Sequence, residues 1–221
     1  MQHQRIIDTQ LTELREKLLS MGAEAQNMLE SAMRSLTERD SDLARKAVEH
    51  DKIVDRMEIE IDRLCIETIA TRQPVAHDLR FIISVSKITP ILERIADHSG
   101  SIAGAALRIN EEPELKKYID LPLMAKTAGE MLENALEAFT SEDAAAARRI
   151  IERDDVIDTC YKRIFDELIE MMIGNSSVTA VAAQLLFVAK HLERIGDYVK
   201  DICELTVYMK EAVVIKHHPL Y

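Results

Sequence analysis

The sequence predicts an all-α fold, built as two pseudo-symmetric three-helix bundles from an internal duplication. Three observations predict it. Hydrophobic residues recur at helical spacing nearly throughout the 221 residues. Turn formers are scarce, with 6 Gly and 5 Pro, whereas an all-β chain of this length needs many short connections. The chain also repeats itself at a nearly fixed offset.

The elements follow in order. A first helix is expected over about residues 5–36 and a second over about 42–70, with Val54, Met57, Ile61 and Leu64 on one apolar stripe. A third follows Pro74 and runs to about residue 109, turning Ile88, Ile91, Leu92, Ile95 and Ile102 inward. Pro90 lies inside it and should kink it or cost it a backbone hydrogen bond. The stretch NEEPELKKYIDLP, from Asn110 to Pro122, is polar and bracketed by prolines. Helices are then expected over about 123–139, 144–173 and 178–210. Asp40–Ser41, Ser141 and Ser176–Ser177 are candidate N-caps. The resulting organisation is a first unit over residues 1–110, a linker over 111–122, a second unit over 123–212 and a tail over 213–221.

The repeat is explicit. At an offset of 103, 11 of the 28 positions from Met28 to Asp55 are identical, among them Met28-Leu29-Glu30 on Met131-Leu132-Glu133, Asp51 on Asp154 and Asp55 on Asp158. Farther on the offset becomes 100, and LERIAD (Leu92 to Asp97) falls on LERIGD (Leu192 to Asp197). A length change confined to a turn is what a duplication tolerates, because loops absorb it and packed helices do not.

Composition narrows the function. A net charge of -11 argues against binding a nucleic-acid backbone, which demands a basic surface. Cys65, Cys160 and Cys203 are far apart and odd in number, as expected of reduced thiols in a cytoplasmic protein. The polar start of the chain lacks the apolar stretch of a signal peptide. The most apolar run, residues 178–189, is shorter than the ~20 residues of a membrane span and is expected to be a buried helix. There is no phosphate-binding glycine loop, G-x-S-x-G, H-E-x-x-H or Glu-x-x-His. No enzyme activity is therefore expected.

The duplicated polar residues are acidic. They are Asp51 and Asp55, then Asp154 and Asp158, in the middle helix of each unit; and Glu93 and Asp97, then Glu193 and Asp197, in the last helix. Each pair is spaced i,i+4, so both carboxylates share a helix face and repel by about 0.2–0.5 kcal/mol. Two such helices side by side would set four carboxylates around one hard cation such as Mg, Mn or Fe, one site per unit. A solvated acidic face that meets basic partners and binds no metal is the alternative, and a carboxylate-bridged metalloenzyme a more distant one. The units differ: Glu58 and Asp62 extend the first face, where the second has Tyr161 and Phe165, and Ser101 corresponds to Asp201. His98 and His191 lie beside the acidic elements but are not repeated. Arg94 and Arg194 follow the repeated Glu and are expected in intramolecular salt bridges, and Arg80, within PVAHDLR, is expected to dock the start of the third helix.

With LERIAD, LERIGD, the paired Asp-x-x-x-Asp and PVAHDLR in place, the chain resembles the PhoU family over nearly its whole length. The resemblance implies two three-helix bundles, frequent homodimers, and cytoplasmic action at the membrane through protein partners. Those partners are the ATPase subunit of a phosphate importer and a sensor histidine kinase. It implies damping of phosphate uptake and of phosphate-starvation signalling. It further implies divalent or trivalent metal ions (Fe, Mn, Zn or Mg) on Glu93, Asp97, Glu193 and Asp197, joined by Asp51, Asp55, Asp154 and Asp158. Where the family commonly places an Asn four positions past the motif's Asp, this chain has Ser101 and Asp201.

Overall fold

The computed structural model describes residues 6–215. Among these residues there are seven α-helices and no strand: α1 (Ile6–Thr37), α2 (Ser41–Arg72), α3 (Ala76–Ile109), α4 (Asp120–Ser141), α5 (Ala144–Glu152), α6 (Asp154–Gly174) and α7 (Thr179–Glu211). A short 3-10 turn, Ser176–Val178, precedes α7. The expected start of the first helix at residue 5 and residues 216–221 of the expected tail lie outside the described residues.

Helices α1 to α3 make the first bundle, and α4, the pair α5–α6, and α7 make the second. The repeated last helices, α3 and α7, pack along each other, and α1 packs on α4, so the two units share one core. Ile88, Leu92, Ile95 and Ile102 are buried as the periodicity predicts. Burying such a side chain contributes about 1.5–3 kcal/mol, and this apolar stripe is what holds α3 at the centre.

Several boundaries differ from expectation. The single helix expected over residues 144–173 is broken at Arg153, where Arg153 N–H bonds Ile150 O at 3.0 Å and Val156 N–H bonds Arg153 O at 3.2 Å. These tight three-residue bonds replace the α-helical ladder. The Arg153 guanidinium is drawn to Glu130 Oε2 on α4 at 2.6 Å, and Asp154 is turned inward. The fourth helix begins at Asp120, so Pro122 falls in its first turn, where its missing N–H costs nothing.

Asp40 caps α2, accepting from Asp42 N at 3.0 Å and Leu43 N at 2.9 Å. The other caps are Asp143 for α5, in place of Ser141, and Asn175 for the 3-10 turn, in place of Ser176–Ser177. Ser141 instead donates to Glu137 O within α4. Helix α3 runs through Pro90 without interruption. The run 178–189 buries only one face, and Phe187 within it is 59% exposed.

The PVAHDLR segment joins the two units. Arg80 Nε donates to Met209 O on α7 at 3.0 Å. His77 Nε2 and Lys210 Nζ both meet Glu142 Oε2 beyond the end of α4, at 3.1 and 3.2 Å.

Candidate cation-binding faces

Helices α2 and α3 pack against each other, which brings the acidic faces predicted for the first unit together. Asp51 and Asp55 come from α2, Glu93 and Asp97 from α3, and Glu58 of α2 joins them. Their mutual fields show the clustering. Asp51 is pushed above the ordinary carboxylate range by burial, then by Asp97 and Asp55. Glu58 is raised by burial, then by Asp55 and Asp62. Glu93 is pushed up to about 7 by burial, then by Asp97 and Glu58, against the opposing pull of Arg94. Asp51 Oδ1 is buried with no hydrogen-bond partner. Among the described residues no ion pair neutralises any of these five carboxylates, although Arg94 lies near enough to act on two of them.

The second face is built from the duplicated residues and is neutralised from within. Asp154 is 4% exposed. Its Oδ2 is held by Lys200 Nζ, which also meets Asp197 Oδ1 at 2.8 Å. Lys190 Nζ pairs with Glu193 at 2.7 Å, and Arg194 Nη1 lies 3.6 Å from Asp197. Burial alone would lower the Lys200 ammonium, but the hydrogen bonds to Asp154 and Asp197 outweigh it and raise the group. Burial outweighs the pull of Lys200 and raises Asp154. Asp158 stands beside this pair, close enough for its charge to act on Asp154.

The difference lies in a few positions. Lys200 and Lys190 correspond to Gly100 and Pro90 in the first unit. Gly196, where the first unit has Ala96, makes room for the turned-in aspartate: a Cβ there would collide with Asp154 Oδ1 and lie 3.0 Å from Ile157 Cδ1. Lys200 does not share the i,i+4 spacing of the acidic pairs, since it reaches the Asp197 carboxylate from three positions along the helix.

The remaining candidates also find places. His98 and His191 pair with each other, Nδ1 to Nδ1 at 2.7 Å, across the seam between the units, and His98 stacks on Tyr198. Arg194 takes the expected salt bridge; among the described residues Arg94 forms none. No group of three or more His, Cys, Asp or Glu among the described residues is gathered tightly enough to hold a metal ion. The first face has the hard, all-oxygen donor set and the unpartnered buried oxygen that suit a divalent cation, but in this arrangement its carboxylates stand apart.

The PhoU domain matches twice, over residues 18–106 and 121–206. The chain belongs to the PhoU family. The two PhoU domains coincide with the two bundles, so the family repeat and the internal duplication are the same feature. The chain is 37% identical over 206 residues to the phosphate-specific transport system accessory protein PhoU homolog of Clostridium acetobutylicum, spanning 93% of this chain and 94% of that one. It is 33% identical over 210 residues to the phosphate-specific transport system accessory protein PhoU of Escherichia coli K12, spanning 95% and 87%. The crystal structure of PhoU from Pseudomonas aeruginosa superposes with a TM-score of 0.90 at 33% identity, covering 93% of this chain and 99% of that one. The phosphate transport system regulatory protein PhoU from Streptococcus pneumoniae gives 0.89 at 30% identity, covering 95% and 99%. No helix among the described residues is long and apolar enough to cross a membrane.

Proposed function

We propose that this chain is an accessory regulator of phosphate transport that restrains both phosphate uptake and phosphate-starvation signalling. One observation carries the reading: relatives named as phosphate-specific transport system accessory proteins align with nearly the whole of this chain and nearly the whole of themselves. In this reading the protein works in the cytoplasm as a homodimer. It contacts the ATPase subunit of a phosphate importer and a sensor histidine kinase, and performs no catalysis itself. The test is genetic. Deletion in the source organism should raise alkaline phosphatase activity in phosphate-rich medium, and an unchanged activity counts against the reading.

We further infer that the first acidic face takes a divalent metal ion such as Mn, Mg, Fe or Zn. Asp51, Glu93 and Asp97 would hold it, with Asp55 and Glu58 beside them; the unpartnered Asp51 Oδ1 supports this. The ion would cancel the mutual repulsion of α2 and α3 at this face and stiffen their contact. A second reading, an adaptor whose acidic faces meet basic partners without metal, is favoured by the spread of the carboxylates. Metal analysis of protein purified without chelators separates the two. Metal above background that is lost in the combined variant Glu93→Gln, Asp97→Asn, Glu193→Gln, Asp197→Asn supports the first; equal content in both proteins refutes this ligand set.

A further inference from the structure

The two acidic faces descend from one ancestral face, yet they meet their charge in different ways. In the second unit a buried aspartate from the middle helix and a partly exposed aspartate from the last helix converge on one ammonium. Lys200 Nζ touches Asp154 Oδ2 on α6 and Asp197 Oδ1 on α7. It therefore bridges the same two helices, through the same duplicated residues, that a cation would bridge. Asp154 is 4% exposed, and its other oxygen, Oδ1, is buried against Gly196 with no hydrogen-bond partner. The notch at Gly196 admits the aspartate, and the break in the helix at Arg153 turns it inward. A lysine stem of four methylenes spans from the surface to this depth while its charge replaces the one the carboxylates lack. In the first unit the corresponding positions are Gly100 and Ala96. No ammonium stands at either position, and Asp51 has no ion pair among the described residues.

We propose that Lys200 is the permanent counter-cation of the second unit, occupying the place of a metal ion between Asp154 and Asp197, so that this unit excludes metal. The corollary, that metal binding is confined to the first unit, rests on the reading of the first face given above. Lys200 is thus a specificity-determining residue: it decides which of two homologous faces is open to divalent cations.

The test is equilibrium Mn2+ binding to the chelator-stripped, full-length chain. Lys200→Ala should bind a further Mn2+ per chain relative to the wild type, and the gain should vanish when Asp158→Asn and Asp197→Asn are added. The same two Asn changes in the wild-type background should leave its Mn2+ binding as it was. Absence of a gain in Lys200→Ala, or loss of Mn2+ when Asp158 and Asp197 are changed in the wild type, overturns the proposal. A wild type that binds no Mn2+ refutes the first-face reading alone, because the gain in Lys200→Ala still decides the role of the lysine. Should Lys200→Ala fail to fold, Lys200→Met keeps an unbranched stem and removes the charge. Its unfolding midpoint should rise with added Mn2+ more than the wild type's does, and an equal response overturns the proposal.

Discussion

Arg80, in the second turn of α3, donates from Nε to the carbonyl of Met209, near the end of α7, at 3.0 Å. The bond crosses from one unit to the other and satisfies a carbonyl in the last turn of α7, where no intrahelical donor remains. It makes the PVAHDLR segment a clamp between the units.

Removing that clamp should loosen the pair of bundles. Arg80→Ala is expected to lower stability by about 1–3 kcal/mol, the cost of leaving a partly buried acceptor without its charged donor. Arg80→Lys should recover only part of it, because an ammonium lacks the directed Nε of the guanidinium. Urea unfolding of the three proteins checks this; an Arg80→Ala midpoint equal to the wild type would show that the bond holds nothing.

Gly196→Ala sets a Cβ against Asp154 Oδ1 and 3.0 Å from Ile157 Cδ1. The aspartate must shift, carrying its bond to Lys200 with it. A loss of about 1–3 kcal/mol is expected from overpacking, despite a gain of about 1 kcal/mol in helix propensity. Denaturant titration beside Ala96→Gly, which has no such collision to relieve, separates the two effects. A more stable Gly196→Ala would show that the notch does not serve Asp154.

The histidine pair at the seam gives a pH dependence with a definite sign. Burial lowers both rings below the ordinary value. His98 falls to about 4, with the positive fields of His191, Arg194 and Arg94 adding to burial and Asp97 opposing it. A depressed folded pKa means that the neutral rings stabilise the fold above about pH 6.5, the ordinary histidine value. That stabilisation is lost as the pH falls from 6.5 toward 4. Unfolding midpoints measured from pH 7.5 to 4.5 should fall more steeply for the wild type than for His98→Asn, His191→Asn. Parallel curves would show that the pair does not set the pH dependence.

Glu93 has the opposite sign. Burial, Asp97 and Glu58 push it up to about 7, so its protonated form is the one the fold favours. Its contribution is complete below about pH 4.5, the ordinary Glu value, and is lost as the pH rises through 7. A cation on the first face would relieve the strain of ionisation. Added Mn2+ should therefore stabilise the protein more at pH 8 than at pH 6, and Glu93→Gln should flatten that difference. A stabilisation independent of pH in the wild type would argue that Mn2+ sits elsewhere.

Much of the architecture was legible in residue spacing. The stripe of Ile88, Leu92, Ile95 and Ile102 placed α3 in the core, and the identity of LERIAD with LERIGD at five of six positions placed α7 as its counterpart. The break at Arg153 was not legible. The apolar pattern runs through it, and its causes are tertiary: the pull of Glu130 on Arg153 and the seat for Asp154 at Gly196. The asymmetry of the candidate site was half visible. Glu58 against Tyr161 could be read directly. The role of Lys200 depends on a side chain one turn along the helix bending back onto two carboxylates, one of them on another helix. The signal for it was the pair of changes Ala96 to Gly196 and Gly100 to Lys200, a missing methyl and an added charge within five residues.

Equilibrium Mn2+ binding to the chelator-stripped full-length chain, wild type against Asp51→Asn, Glu93→Gln, Asp97→Asn, decides whether the first acidic face holds a divalent cation. The wild type should bind Mn2+ saturably, and the triple variant should not bind it while retaining its helical content and unfolding cooperativity. Binding that survives these three changes in a folded protein would contradict the first-face reading.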